Sequence, residues 1–190
     1  MALRVVAGSV GGRTLKTPKG DVLRPTQDRI KQAMFSSLGE RVPHARVLDL
    51  YAGSGALGIE ALSRGADAAL FVEKNRVCAK CITENLAALA LAGQARVEER
   101  DALDFLKGGP GTVAPFDLVF ADPPYDKTMG KAALSPLPGA VRPWVAEGGV
   151  FVWEFFSGQK LEELAGWRTL FYRKYGETAL AILAPEGVSQ

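Results

Sequence analysis

Apolar residues recur along the chain at two spacings, one helical and one alternating, and their order outlines the architecture. Residues 3–9 and 13–17 flank Val10-Gly11-Gly12 and predict a β-hairpin closed by a glycine turn. Pro25 precedes Thr26, a residue suited to N-capping. Ile30, Met34, Phe35 and Leu38 then share one face of a helix that Gly39 ends. From residue 46 strand and helix alternate. Strands are predicted at 47–51, 68–72, 95–99, 116–121 and 149–155, and helices at 56–63, 75–92 and 102–106. Val77, Cys81, Ile82, Leu86 and Leu89 form the inward stripe of the long helix. The end differs: 169–175 and 177–183 meet at Gly176 as an antiparallel hairpin. Segments 108–115 and 136–143 read as surface loops, and 185–190 as a frayed tail. Strands joined by helices imply right-handed parallel crossovers and an open α/β sheet covered on both faces. The expected division is an arm at 1–45, the sheet domain at 46–184 and the tail.

The 190 residues are 47% hydrophobic, 23% charged and 8% aromatic, which excludes a disordered or fibrous chain. Two cysteines are too few for a disulfide scaffold and point to a reducing compartment. The longest apolar stretch of helical composition, residues 86–92, is far short of a membrane span, and Arg4 interrupts the start too early for a secretory signal. A soluble, cytoplasmic protein is expected. Net charge is only +2, but residues 1–46 hold nine Lys/Arg against three acids, leaving −4 on the remainder. A basic arm on a mildly acidic body suits a polyanion ligand. A solvated edge hairpin is the alternative.

Gly53-Ser54-Gly55-Ala56-Leu57-Gly58 fits G-x-G-x-x-G between a predicted strand and helix, a pattern that normally seats a dinucleotide pyrophosphate on the helix N-terminus. Asp49, four positions before Gly53, argues against that ligand. A carboxylate there repels a pyrophosphate and suits the cationic amino end of S-adenosylmethionine. Glu73 ends the second strand, where a carboxylate accepts both ribose hydroxyls; Asp101 ends the third, placed to receive an adenine amino group. Three acids at the carboxyl ends of successive strands fit a cationic ligand. The structural alternative makes the glycines packing devices and the acids helix N-caps.

Strand 116–121 runs into Asp122-Pro123-Pro124-Tyr125. Successive prolines fix φ and exclude helix, so a carboxylate, a carbonyl and an aromatic ring are held in fixed relation. An exocyclic base amine is a weak nucleophile because its lone pair is delocalised into the ring. The Asp122 side chain and the Pro123 carbonyl can hold both amine hydrogens and aim that lone pair at a methyl group, with Tyr125 stacked on the base. Positioning of this kind is worth up to roughly 7–11 kcal/mol. No metal site is expected: His44 is the only histidine, and Cys78-Ala79-Lys80-Cys81 lies within a predicted helix, where packing explains it. Trp144, Trp153 and Trp167 read as core or edge residues, Trp153 being also a candidate pocket neighbour. Phe155-Phe156 reads as core, with an exposed platform for RNA as the alternative.

Residues 49–66 together with Asp122–Tyr125 resemble class I S-adenosylmethionine-dependent amino-methyltransferases. Upstream, Ala7-Gly8, Gly12-Arg13, Leu15 and Arg24-Pro25-Thr26-Gln27-Asp28-Arg29-Ile30-Lys31, with Phe35 and Leu38, look like the RsmD family of 16S rRNA guanine-N2 methyltransferases. The match runs from about residue 3 to 183. It implies a Rossmann-like, mostly parallel, seven-stranded sheet with an antiparallel C-terminal hairpin and a small N-terminal hairpin-and-helix arm. It implies a monomer that methylates the 2-amino group of one guanine in 16S rRNA, within the small ribosomal subunit or an assembly intermediate, leaving S-adenosylhomocysteine. By motif position Asp122, Pro123, Pro124 and Tyr125 are assigned to catalysis. Asp49, Tyr51, Ala52, Gly53, Ser54, Gly55, Glu73, Lys74, Asp101, Ala102 and Thr26 are assigned to the cofactor. Arg4, Arg13, Lys16, Arg24, Arg29 and Lys31 are assigned to RNA, with Arg24, Thr26 and Arg29 set either over the cofactor or on the RNA. Other substrates stay open: adenine N6 in nucleic acid, or a protein glutamine, which Asp rather than Asn at 122 disfavours. An NAD(P)-dependent oxidoreductase is opposed by Asp49, and a non-catalytic RNA-binding module by the intact Asp122–Tyr125 turn.

Overall fold

The computed structural model describes residues 3–18, 26–111, 115–124, 136–158 and 164–187. Its elements run α1 (Thr26–Leu38), β1 (Arg46–Leu50), α2 (Ala56–Ser63), β2 (Ala68–Val72), α3 (Arg76–Ala88), β3 (Ala95–Glu98), α4 (Ala102–Lys107), β4 (Phe116–Ala121), α5 (Leu137–Val141), β5 (Val145–Phe156), β6 (Trp167–Tyr175) and β7 (Thr178–Pro185). They build one seven-stranded sheet in the order β3-β2-β1-β4-β5-β7-β6, parallel from β3 to β5, with β7 antiparallel to both its neighbours. The strand order reverses between β1 and β4, so the ligand crevice of this fold class opens at the carboxyl ends of those two strands.

Alternation along the strands divides the core. Val47, Phe71, Leu118, Phe120, Val150, Val152, Leu180 and Ile182 face α1, α2, α3 and the N-terminal segment. Leu48, Leu50, Val119, Ala121, Phe151, Trp153 and Phe155 face α4 and α5. Phe35, Phe71, Phe120 and Phe151 are fully buried, each contributing roughly 1.5–3 kcal/mol of apolar transfer. Arg41, just past α1, donates from Nη1 to the Gly148 carbonyl in the early part of β5 (3.1 Å), while Phe35 meets Phe120 at the far end of β4 (5.7 Å). The helix therefore runs against the parallel strands, with its first turn at the carboxyl edge of the sheet.

Several local expectations change. The N-terminal hairpin contracts to a single Arg4–Thr14 bridge flanked by a few backbone hydrogen bonds. The backbone that would have extended it turns to α2 instead: Val6 and Ala7 N–H donate to the Glu60 carboxylate, and Ser9 N–H to the Ser63 carbonyl. The long helix starts after the Asn75 cap and stops at Ala88, because Ala90 turns left-handed (φ 58°) and Leu91 N–H reaches back to the Leu86 carbonyl. Val77, in the first turn of α3, is 63% exposed rather than inward, whereas Cys81, Ile82, Leu86 and Leu89 are buried. The expected loop at 136–143 holds α5 and a 3-10 turn. Pro136 and Pro138 occupy the cap and first turn, where a missing N–H costs little, and Leu137 and Val141 are buried. Among the described residues no helix is long and apolar enough to cross a membrane.

Candidate active site

β1 alternates Leu48 and Leu50 toward one layer and Asp49 toward the other, which buries a carboxylate under the glycine loop. Asp49 Oδ2 accepts from Gly58 N–H at 2.9 Å, in the first turn of α2. Burial pushes its pKa up to about 8 against that N–H, and the charges of Asp122 and Glu73 add to the rise. The loop between them is drawn tight, with Gly55 left-handed (φ 80°) and its N–H on the Ala52 carbonyl at 2.7 Å. Gly58 answers to space rather than to conformation. A Cβ there would lie 2.3 Å from Phe71 Cε1 and 3.1 Å from Asp49 Oδ2. Gly58→Ala is expected to destabilise the fold by about 1–3 kcal/mol, because overpacking outweighs the helix propensity of alanine. Urea denaturation checks this, and an unchanged midpoint would contradict it.

Glu73 closes the loop from the end of β2. Its Oε2 accepts from Gly53 N–H at 2.8 Å and its Oε1 from Asn75 N–H at 2.7 Å, leaving each oxygen a second lone pair for a diol. Asp101 caps α4: Oδ1 accepts from Leu103 and Asp104 N–H, while Oδ2 lies 3.7 Å from the exposed Lys74 Nζ. The helix-cap alternative is thus realised at Asp101, and in a long-range form at Asp49. Tyr51 (φ 57°) and Ala52 lead into the loop, Ser54 is held through its carbonyl by Asn85, and Ala102 is buried at the start of α4. The packing alternative is realised at Gly58. These acids and the loop occupy one edge of the sheet, with the half-buried Asp122 and Pro123 and the exposed Pro124 across the β1–β4 switch point. Tyr125 and Arg24 lie outside the described residues, and of Thr26 only its place in the first turn of α1 is described.

On the arm, Arg4, Arg13, Lys16 and Arg29 are exposed, Lys16 Nζ lying 3.0 Å from Glu84. Lys31 is corrected. Only 4% exposed, it donates to the Arg4 carbonyl at 2.7 Å and lies 3.4 Å from Glu60 Oε2, so it holds the arm and does not face RNA. Trp153 packs among Phe151 and Phe155 in the α4/α5 layer, on the other face of the sheet from Asp49.

Two groups escaped the sequence. Asn85 binds both Lys16 N–H and Lys16 carbonyl and also the Ser54 carbonyl, tying arm to glycine loop. Glu154, 9% exposed on β5, is pushed up to about 8 by burial and by the Asp122 charge. The available signal was a single acid inside the run Phe151-Val152-Trp153-Glu154-Phe155-Phe156. Among the described residues no cluster of His, Cys, Asp and Glu could hold a metal ion.

The family model described as Conserved hypothetical protein 95 matches residues 3–184. A Bacillus subtilis protein named as a candidate rRNA methyltransferase, YlbH, is 36% identical over 186 residues, 97% of this chain and all of that one. Ribosomal RNA small subunit methyltransferase D of Escherichia coli is 42% identical over 127 residues, 67% of this chain and 62% of that relative. The solved structure of the candidate methyltransferase yhhF from Escherichia coli superposes with a TM-score of 0.82 at 32% identity, covering 98% of this chain and 99% of that one.

Proposed function

The chain belongs to the RsmD family, whose model carries the description Conserved hypothetical protein 95, and from that premise we propose that it transfers a methyl group from S-adenosylmethionine to the 2-amino group of a guanine in 16S rRNA. The observation that carries the reading is the parallel pairing of β1 with β4, Asp49 with Phe120 and Leu50 with Ala121, which brings the glycine loop and Asp122 to the same edge of the sheet at the switch point. The glycine loop and the proline corner therefore open on one crevice.

The residues divide the work by position. Asp49, ionised when a cationic ligand lies over it, gives the crevice its floor, Glu73 faces a ribose diol, and Asp101 Oδ2, 3.7 Å from Lys74 Nζ, borders the adenine end with that lysine. When bound, S-adenosylmethionine supplies an electrophilic methyl carbon on a sulfonium. Asp122 and the Pro123 carbonyl hold the two hydrogens of the amine, so that its lone pair points into the crevice rather than into the base ring. Asp122 also offsets the positive charge that develops on the nitrogen. Pro124 keeps the corner rigid and Tyr125 stacks on the base.

RNA is gripped through phosphate and shape, and its reacting base must be splayed out of the stack. Arg4, Arg13, Lys16, Arg24 and Arg29 on the arm at 1–45 supply the phosphate contacts, the first turn of α1 capping the crevice beside them. We read the substrate as an assembled or assembling small subunit, and the enzyme as a cytoplasmic monomer. The test is labelled methyl transfer to small subunits lacking the modification, beside naked 16S rRNA, with the modified base mapped. Label on N2 of one guanine supports the reading. Label on adenine, on protein or nowhere overturns it.

Cofactor affinity is expected to rise with pH. A cationic ligand favours ionised Asp49, whose pKa is about 8, with Asp122 and Glu73 the charges that face it. Between pH 6.5 and 7.5 the Kd for S-adenosylmethionine should fall by up to about tenfold, one unit of coupled ionisation. Asp49→Asn keeps an acceptor for Gly58 and should flatten the profile. Calorimetric titration at several pH values checks both.

A further inference from the structure

One buried acid beside the proline corner has no part in the chemistry so far. β4 and β5 pair in parallel as Val119–Phe151, Phe120–Val152 and Ala121–Trp153, so the next step sets Asp122 alongside Glu154. Trp153 points to the α4/α5 layer, and alternation turns Glu154 to the opposite face, the one that Asp49 occupies. Its pairing partner on β7 is the fully buried Leu180, and the preceding Val152 on its own face is equally buried.

The same protein shows what a structural buried glutamate looks like. Glu60 is surrounded by donors: Val6 and Ala7 N–H, Arg64 Nε and Lys31 Nζ. Around Glu154 only burial and the charge of Asp122 act, with no donor or cation from the described residues. Desolvating a carboxyl that has no donor is costly, and the charge of a second carboxyl alongside makes ionising it costlier still. Glu154 is therefore a neutral acid, offering one O–H donor and one carbonyl acceptor, at the sheet edge where ligands bind.

A group that pairs with a neutral carboxylic acid carries an N–H next to a C=O. Guanine presents that pair, N1–H and C6=O, immediately beside the 2-amino group assigned to Asp122. Resting on the proposed function, we propose that Glu154 reads the N1–H and C6=O of the target guanine while Asp122 and Pro123 hold its 2-amino group, which makes Glu154 a specificity-determining residue. Adjacent strands lie about 4.8 Å apart, a spacing that lets two neighbouring carboxyl groups meet neighbouring positions on one base edge. Sites built to hydrogen-bond a substrate group discriminate strongly against analogues that lack it.

2-Aminopurine keeps the reacting amine and lacks both N1–H and C6=O. The test places guanine or 2-aminopurine at the mapped position of the RNA and compares kcat/KM. Wild type should prefer guanine at least tenfold. Glu154→Leu should cut that preference at least fivefold, while Glu154→Gln, whose amide offers the same donor and acceptor, should keep most of it. Two readouts are independent of turnover: the thermal shift given by S-adenosylhomocysteine should match wild type in both variants, and fluorescence of 2-aminopurine RNA should report base capture in each. A guanine preference unchanged in Glu154→Leu overturns the inference, as does a Glu154→Gln variant no better than Glu154→Leu. Should the leucine variant fail to fold, a wild-type enzyme that does not distinguish the two bases overturns it alone. If wild type methylates no guanine at all, the proposed function itself falls.

Discussion

Glu60→Ala is expected to cost about 3–5 kcal/mol of stability and to release the N-terminal segment from the body. The carboxylate is fully buried on α2. It accepts from Val6 N–H (2.7 Å), Ala7 N–H (3.0 Å) and Arg64 Nε (2.8 Å), and faces the Lys31 ammonium at 3.4 Å. Truncation leaves two backbone donors without their acceptor and removes the Glu60 charge from beside a buried ammonium. Unfolding in urea reads the loss, and limited proteolysis reads its location, since cleavage within residues 3–18 should accelerate before global unfolding. Glu60→Gln keeps the shape but turns an amide NH2 toward donors, so it should fall between wild type and alanine. Adding Lys31→Met to Glu60→Gln should recover part of the loss, because the pair is coupled. A simple sum of the two single effects would refute that coupling.

Asp122→Ala should slow methyl transfer by about 10²–10³-fold while leaving S-adenosylhomocysteine affinity within a few-fold of wild type. The corner loses its side-chain acceptor and its charge, but the Pro123 carbonyl and the rigid backbone remain. Asp122→Asn retains an acceptor oxygen and should lose less, on the order of tenfold, an amount that isolates the charge from the positioning. Single-turnover rates with saturating subunits separate these effects from RNA binding. A wild-type rate in the alanine variant would remove Asp122 from the chemistry. The same change has a remote signature, since the Asp122 charge helps to raise both Asp49 and Glu154. Without it, the pH at which cofactor affinity levels off should move down.

These two residues show how the acids of the molecule are graded by what surrounds them. Glu60 is saturated with donors and acts as a staple, and Glu73 is half committed, tying the glycine loop while keeping lone pairs for a ligand. Asp49, Asp122 and Glu154 crowd one edge, where burial and the charge of Asp122 push the carboxyls of Asp49 and Glu154 upward. Such crowding is unfavourable for the isolated fold and favourable for a crevice that receives a cationic cofactor and a base rich in N–H donors.

The amino-acid sequence by itself determined the alternation of strand and helix, the glycine loop and the proline corner, because each is local. A left-handed turn needs its glycine in place, and two successive prolines fix their own φ whatever lies nearby. The open parallel sheet follows from that alternation, its seven strands were implied by the family resemblance, and the positions of Asp49 and Glu73 near strand ends follow from the sheet. Only the tertiary structure decided what faced each side chain. Lys31 carries the charge of an RNA contact, yet it is buried, because Glu60 and the Arg4 carbonyl converge on it from α2 and the N-terminal segment. The prolines around 136–143 looked like loop until Leu137 and Val141 found an apolar layer to enter. Glu154 was one acid in an apolar run until the β4–β5 register set it beside Asp122. Burial and charge proximity belong to pairs of distant residues, and the chain acquires them only by folding.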